Sequence, residues 1–210
     1  LQHEFDVAKE FNNEFVNKVY EVDAKHSVPY LSIAFSPFQN LKQRLRSEYD
    51  LMNYHASTVI NNVLQGLKYL HDQGWVHCDV KPDNFLVDDE GSCKLIDFAL
   101  AVRISTKCGR MFGGGKSKTI AGTRSYMSPE QIRRKSLDNR SDIYSVGCLL
   151  TEITTGKVPF TGDTPENLLA RHLHMKAPPI CSINTNITQE FSDLVDEMLS
   201  KKPTDRPDSI

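Results

Sequence analysis

Apolar residues recur every three or four positions in several stretches of the chain. Ile60, Val63, Leu64, Leu67 and Leu70 predict a helix, with Gly74 a natural stop just beyond. Ile143, Val146, Leu149, Leu150 and Ile153 predict a second, with Ser141 as its N-cap and Gly156 past its C-terminus. Phe191, Leu194, Val195, Met198 and Leu199 predict a third that ends before Pro203. Thr164-Pro165, a cap residue followed by proline at the first helical position, opens a shorter one running through Leu168, Leu169 and Leu173. An amphipathic stretch over 5–11 predicts the remainder of another helix. Strands are fewer: 16–22 and 30–35 are joined by a polar turn, and 85–87 and 93–96 flank the hairpin turn Asp88-Asp89-Glu90-Gly91. The pattern is α+β, mostly helical after residue 40, without an internal repeat. The one biased segment, 103–118, carries Gly113-Gly114-Gly115 and reads as a mobile surface loop.

Composition narrows the class. The 210 residues carry 25 Lys+Arg and 27 Asp+Glu, a net charge of −2, and are 39% hydrophobic, as in an ordinary soluble domain. A chain built to grip nucleic acid or an anionic membrane would be strongly basic. The cysteines (Cys78, Cys93, Cys108, Cys148, Cys181) contain no C-x-x-C pair, so neither a zinc site nor a disulfide framework is expected. Reduced thiols, no signal peptide and no apolar run long enough to span a bilayer imply a cytoplasmic segment without membrane contact. With no initiator Met and no finished terminus, both ends are expected to be cuts.

The chemistry concentrates in His77-Cys78-Asp79-Val80-Lys81-Pro82-Asp83-Asn84, a loop directly after the first helix. Asp79, Lys81 and Asn84 supply a proton acceptor, a fixed cation and a metal-binding amide. Beyond the hairpin follows Asp97-Phe98-Ala99, and a hairpin returns the chain to near its start, so Asp97 can share a metal with Asn84. An acceptor, a cation and a two-oxygen metal site describe phosphoryl transfer from a nucleotide, where positioning and charge neutralisation supply most of the catalysis.

At these residues the sequence resembles the eukaryotic-type Ser/Thr protein kinases, including their bacterial members, over essentially the whole chain. His77 to Asn84 is similar to the catalytic loop and Asp97-Phe98-Ala99 to the metal-binding Asp-Phe-Gly. Gly122-Thr123 to Ser128-Pro129-Glu130 resembles the end of the activation segment. Asp142 to Gly147 resembles the start of the large buried helix, and Asp205-Arg206-Pro207 the late arginine motif.

The resemblance implies a kinase-like fold, with 1–35 a remnant of the N-terminal lobe (the end of its helix and its last two strands) and 36–210 the helical C-terminal lobe, incomplete at its end. It implies ATP and Mg²⁺ as cofactors and protein Ser/Thr hydroxyls as substrates. Asp79 is then the acceptor of the substrate proton, Lys81 the cation at the transferring phosphoryl group, and Asn84 and Asp97 the Mg²⁺ ligands. Leu86 floors the adenine pocket, Ala34 and Ser36 are the hinge, and Ile33 is the gatekeeper. Glu4 matches the helix glutamate that pairs with a strand lysine, and Thr123 a contact of the catalytic loop. Glu130 and Arg206 match a buried ion pair, and Asp142 a brace of the catalytic loop.

Three departures modify the expectation. The family's glycine-rich loop and strand lysine are absent from 1–210, so this chain alone is expected to bind ATP poorly and transfer phosphate slowly, or to act as an interaction module of the pseudokinase kind. Cys78 stands where many members have Arg, so dependence on phosphorylation at Thr119 is expected to be weak. Ala99 replaces a glycine, which disfavours flipping of its segment. The run from Arg103 to Arg124 is basic without Asp or Glu, which reads as a solvated loop or as a segment favouring acidic substrates. Lys81-Pro82 and Ser128-Pro129-Glu130 favour a protein substrate over a small molecule. His172 and His174, two apart on a helix, face different directions and suggest no metal site.

Overall fold

The apolar stripe of 60–70 is buried at Val63, Leu67 and Leu70 and half-buried at Ile60 and Leu64 in the structure, a computed structural model that describes residues 1–104 and 124–210. The glycine-bearing loop, Cys108, Thr119 and Thr123 lie outside the described residues. Two units are distinguished by their internal packing: Leu1–His77 with Pro82–Ala101, and Cys78–Lys81 with Val102–Ile210.

The first unit runs α1 (Gln2–Ala8), β1 (Val19–Asp23), β2 (Tyr30–Ile33), β3 (Gln39–Asn40), α2 (Leu41–Ser47), α3 (Tyr49–Tyr54), α4 (Ala56–Asp72), β4 (Trp75–Val76), β5 (Phe85–Val87) and β6 (Cys93–Leu95). Strands β1 and β2 pair antiparallel, Val22 opposite Leu31, with a bulge between Val19 and Glu21. A three-stranded antiparallel sheet has the order β3-β5-β6, with Asn40 opposite Leu86 and Phe85 opposite Leu95. The β5–β6 turn is made by Asp88, whose Oδ1 accepts the amides of Glu90 and Ser92 at 3.0 and 2.8 Å. Gly91 takes φ +83° there, and a Cβ on it would come within 2.9 Å of His55, so only glycine fits. Helix α4 buries Val59, Val63, Leu67 and Leu70 completely, each worth about 1.5–3 kcal/mol of transfer free energy. Helix α1 ends at Ala8, short of the stretch expected to reach 11. Phe11, just past it, packs edge-on against Tyr69 and Phe98 at 5.7 and 5.4 Å.

The second unit holds β7 (Val102–Arg103), α5 (Pro129–Ile132), α6 (Asn139–Thr155), α7 (Pro165–His174) and α8 (Gln189–Met198). The expected caps of α7 and α6 hold at Thr164, which accepts the Asn167 amide, and at Gly156, which adopts φ 72°. The expected N-cap of α6 does not. Asp138 Oδ1 accepts the Arg140 amide, because the Ser141 hydroxyl instead donates to Glu130 at 2.7 Å. Helix α6 is buried on every side from Ser141 to Thr154. Its polar side chains survive there because each is hydrogen-bonded: Thr151 and Thr154 to the preceding turn, Ser145 to the Tyr126 carbonyl, and Glu152 to the Tyr126 hydroxyl.

Candidate active site

In the second unit, Asp79 and Lys81 form an ion pair, Nζ to Oδ2, at 2.5 Å, with both side chains mostly shielded from solvent. The backbone that carries them is held from two sides. The Cys78 amide donates to Asp142 Oδ1 at 2.9 Å, and the Cys78 carbonyl accepts from Gln131 Nε2 at 2.7 Å. Cys78 itself adopts φ 66°, the left-handed region that costs a residue with a side chain about 1–2 kcal/mol. Such a conformation persists where the surroundings over-determine it, and it turns the next residue, Asp79, away from the course of an extended chain.

Gln131 is able to reach the loop because α5 opens on a capping box. Ser128 Oγ accepts the Gln131 amide at 3.3 Å, and Gln131 Oε1 accepts the Ser128 amide at 2.9 Å, while the other end of the carboxamide points at Cys78. Sequence reasoning passed over Gln131, although Ser-x-x-Gln is the capping-box signature. Asp142 extends from the first turn of α6, and Glu130 of α5 is tied to Arg206 by two bonds of 2.7 and 3.0 Å. Burial pushes the Glu130 carboxyl up, but the Arg206 hydrogen bonds and charge, with the Ser141 hydroxyl, outweigh it and hold the group below its ordinary value.

In the first unit the β5–β6 hairpin brings Asn84 and Asp97 together: the Ile96 amide, one residue before Asp97, donates to the Asn84 carbonyl at 2.9 Å. Asp97 takes φ 63°, and its Oδ1 accepts the Ala99 amide at 3.2 Å. The left-handed residue of this segment is thus Asp97, and Ala99 is not among the positive-φ residues. Glu4 of α1 faces the same turn. Burial raises its carboxyl first, the nearby Asp97 charge adds to that, and a hydrogen bond from the Phe98 backbone partly offsets both. Fully buried His77 touches the Ile96 carbonyl at 3.3 Å and the Phe98 ring at 5.7 Å between centroids, so it supports this segment from behind.

Ile33 ends β2 and is half exposed, and Leu86 lies mid-β5 opposite both Asn40 and Lys94. The Ala34 amide donates to the Lys18 carbonyl at 2.7 Å, and the Ala34 carbonyl accepts from the buried Asn17 side chain at 3.0 Å. Ser36 Oγ accepts the Phe38 amide at 3.3 Å. Asn17, a second residue that sequence reasoning missed, has no local motif to announce it. Among the described residues no cluster of three or more His, Cys, Asp or Glu is placed to hold a metal. The donors at Asn84 and Asp97, one amide and one carboxylate, suit a hard ion that keeps waters and phosphate oxygens as its other ligands, which is the habit of Mg²⁺.

The second unit thus carries the braced Asp79–Lys81 loop, and the first unit a hairpin with Asn84 before its first strand and Asp97 after its second. Residues 1–209 match the family described as protein kinase domain, and the chain belongs to that family. It is similar to the serine/threonine-protein kinase PknL of Mycobacterium tuberculosis, 33% identical over 195 residues, which are 93% of this chain and 48% of the relative. It is also similar to PknB of the same organism, 30% identical over 212 residues, covering 98% of this chain and 33% of the relative. A probable serine/threonine-protein kinase of Clostridium perfringens is 32% identical over 93% of this chain and 28% of its own length. The chain thus spans less than half the length of these relatives. Among the described residues no helix is long and apolar enough to cross a membrane.

Proposed function

We propose that this chain supplies the catalytic machinery of a protein serine/threonine kinase, transferring the γ-phosphoryl group of ATP to a protein hydroxyl. The observation that carries this reading is the Asp79–Lys81 pair on a loop whose backbone is held by Asp142 and Gln131. Asp79 accepts the proton of the attacking hydroxyl, a role worth about 10²–10⁴-fold. Lys81 holds Asp79 in place at rest and neutralises the transferring phosphoryl oxygens during reaction. Asn84 and Asp97 hold Mg²⁺, which when bound neutralises phosphate charge and orients the transferring group. Glu4, through its contact with the Phe98 backbone, fixes the turn that carries Asp97. Ile33, Ala34, Ser36 and Leu86 meet the nucleotide base.

Retention of Asp79, Lys81, Asn84 and Asp97 together favours turnover over a non-catalytic interaction module. The test is phosphate transfer by the full-length protein from labelled ATP to a generic basic protein, followed by phosphoamino-acid analysis. Phosphoserine or phosphothreonine is expected, with the rate reduced at least about 10²-fold by Asp79→Asn. Equal transfer by the wild type and by that variant would sink the assignment of Asp79.

A further inference from the structure

Lys201, just past α8, sets its ammonium over aromatic rings instead of beside a carboxylate. Nζ stands 4.3 Å from the Phe160 ring centroid and 5.4 Å from that of Tyr144, and donates to the Tyr144 hydroxyl at 3.3 Å. Tyr144, in α6, is fully buried. His172 of α7 is fully buried too, with Nδ1 3.0 Å from the same hydroxyl and its ring edge-on to Phe160 at 4.9 Å.

The charged and titratable groups around Lys201 do not stabilise its cation as an ordinary surface would. The Arg206 guanidinium lies 4.9 Å over the Tyr144 ring and adds like charge. Cys148 is wholly buried, and burial keeps its thiol protonated far above its ordinary range. Asp196 of α8 is engaged by Lys176 at 2.9 Å. Among the described residues no carboxylate lies within ion-pair distance of Lys201. Burial first, with Arg206 adding to it, lowers the amine to about 8, offset only in part by the Asp196 charge.

We propose that Lys201 is a modification site, an amine that is acylated by acyl phosphates and acyl thioesters. In the step, the Nζ lone pair attacks the carbonyl carbon and a C–N bond forms. The C–O bond to phosphate, or the C–S bond to the thiol, breaks with its electron pair leaving on oxygen or sulfur. The proton lost by nitrogen passes to the leaving group or to water. The neutral amide formed takes the positive charge off both rings and keeps one N–H.

Lys202 is the internal standard, adjacent in sequence and exposed. At pH 7.5 an amine titrating near 8 is roughly a quarter free base, against about 0.1% for an ordinary lysine, a gap of about 200-fold that lower basicity and partial burial reduce.

The test is incubation of the full-length protein with acetyl phosphate between pH 6.5 and 9.5, with each lysine quantified by mass spectrometry. Lys201 is expected to acetylate at least about tenfold faster than Lys202 at pH 7.5, with a midpoint near 8, and to lose that advantage in denaturant. A Lys201 rate at or below that of Lys202 across the range overturns the proposal, as does an advantage that survives unfolding. Phe160→Leu separates the cluster from local sequence: a shifted midpoint supports the proposal, and an unchanged one counts against it.

Discussion

Gln131 donates its side-chain amide to the carbonyl oxygen of Cys78 at 2.7 Å, tying the first turn of α5 to the loop that carries Asp79. The same carboxamide closes the capping box with Ser128, so one side chain both starts a helix and positions a loop. On the opposite side Asp142 takes the Cys78 amide. The residue before the proposed base is therefore held by both of its backbone polar groups.

These two duties of Gln131 are separable. Gln131→Glu keeps an oxygen for the Ser128 amide and removes the donor to Cys78, whereas Gln131→Ala removes both. We expect Gln131→Ala to cost about 2 kcal/mol of stability and Gln131→Glu about 1 kcal/mol or less. Both are expected to lower kcat roughly tenfold through misplacement of Asp79. Urea unfolding read beside steady-state kinetics checks this. A Gln131→Glu variant with full kcat would show that the contact does not position the loop.

What the sequence disclosed and what it concealed follow from the range of each interaction. Helix α7 was legible because Thr164 and Pro165 act within their own first turn, and the β5–β6 hairpin because Asp88 bonds amides two and four residues on. Helices α2 and α3 were missed, since six or seven residues carry too little periodic apolar signal. The N-cap of α6 was misassigned because Ser141 is claimed by Glu130, eleven residues away, which no local pattern reveals. Asp79, Lys81, Asn84 and Asp97 were legible as a spaced set of residue types. Gln131, which holds the loop of Asp79 across 53 positions, and Asn17, which holds Ala34 across 17, are announced by no local pattern of their partners.

The thiols should differ sharply in reactivity. Burial raises the Cys78 and Cys148 thiols far above the ordinary range and pushes Cys93 up to about 12, so none of the three offers thiolate near neutrality. Cys181 is only half-buried: its thiol donates to the Gln189 side-chain oxygen at 3.5 Å, and its amide to the Ser192 hydroxyl at 3.4 Å. Iodoacetamide at pH 8 is expected to label Cys181 at least about tenfold faster than Cys78, Cys93 or Cys148 in the native protein, with the rates converging in denaturant. Fast native labelling of Cys78 would contradict its burial.

Regulation should reflect the loop's supports. Cys78 is held by a carboxylate and a carboxamide and offers no guanidinium to a phosphate, so phosphate on Thr119 has no charge partner at this position. Thr119→Ala in the full-length protein is expected to retain activity within about twofold, while Asp142→Asn, which weakens the brace, lowers it more. Kinase assays on dephosphorylated and phosphorylated preparations test this. A tenfold or larger gain on phosphorylation at Thr119 would refute it.

Arg206 and Glu130 supply a prediction with a pH signature. Both side chains are almost entirely buried, and Arg206 also donates to the carbonyls of Ser200 and Arg140 at 2.8 and 2.7 Å. Breaking such a pair strands a buried carboxylate, so Arg206→Met is expected to destabilise the protein by about 3–5 kcal/mol near neutral pH. In the wild type the Glu130 carboxyl is depressed below its ordinary 4.5. Its contribution is therefore present above pH 4.5 and is lost as the pH falls through the depressed value. In Arg206→Met the same carboxyl keeps its burial and loses its cation, so its pKa moves above 4.5. Its contribution is then present below pH 4.5 and is lost as the pH rises through the raised value. The two curves converge on acidification: the stability gap between wild type and variant should be widest near pH 7 and narrow steadily towards pH 4. Urea denaturation of both proteins at several pH values measures the gap directly, and a gap that stays constant from pH 7 to pH 4 would mean that Glu130 is not charged against Arg206 in the folded state.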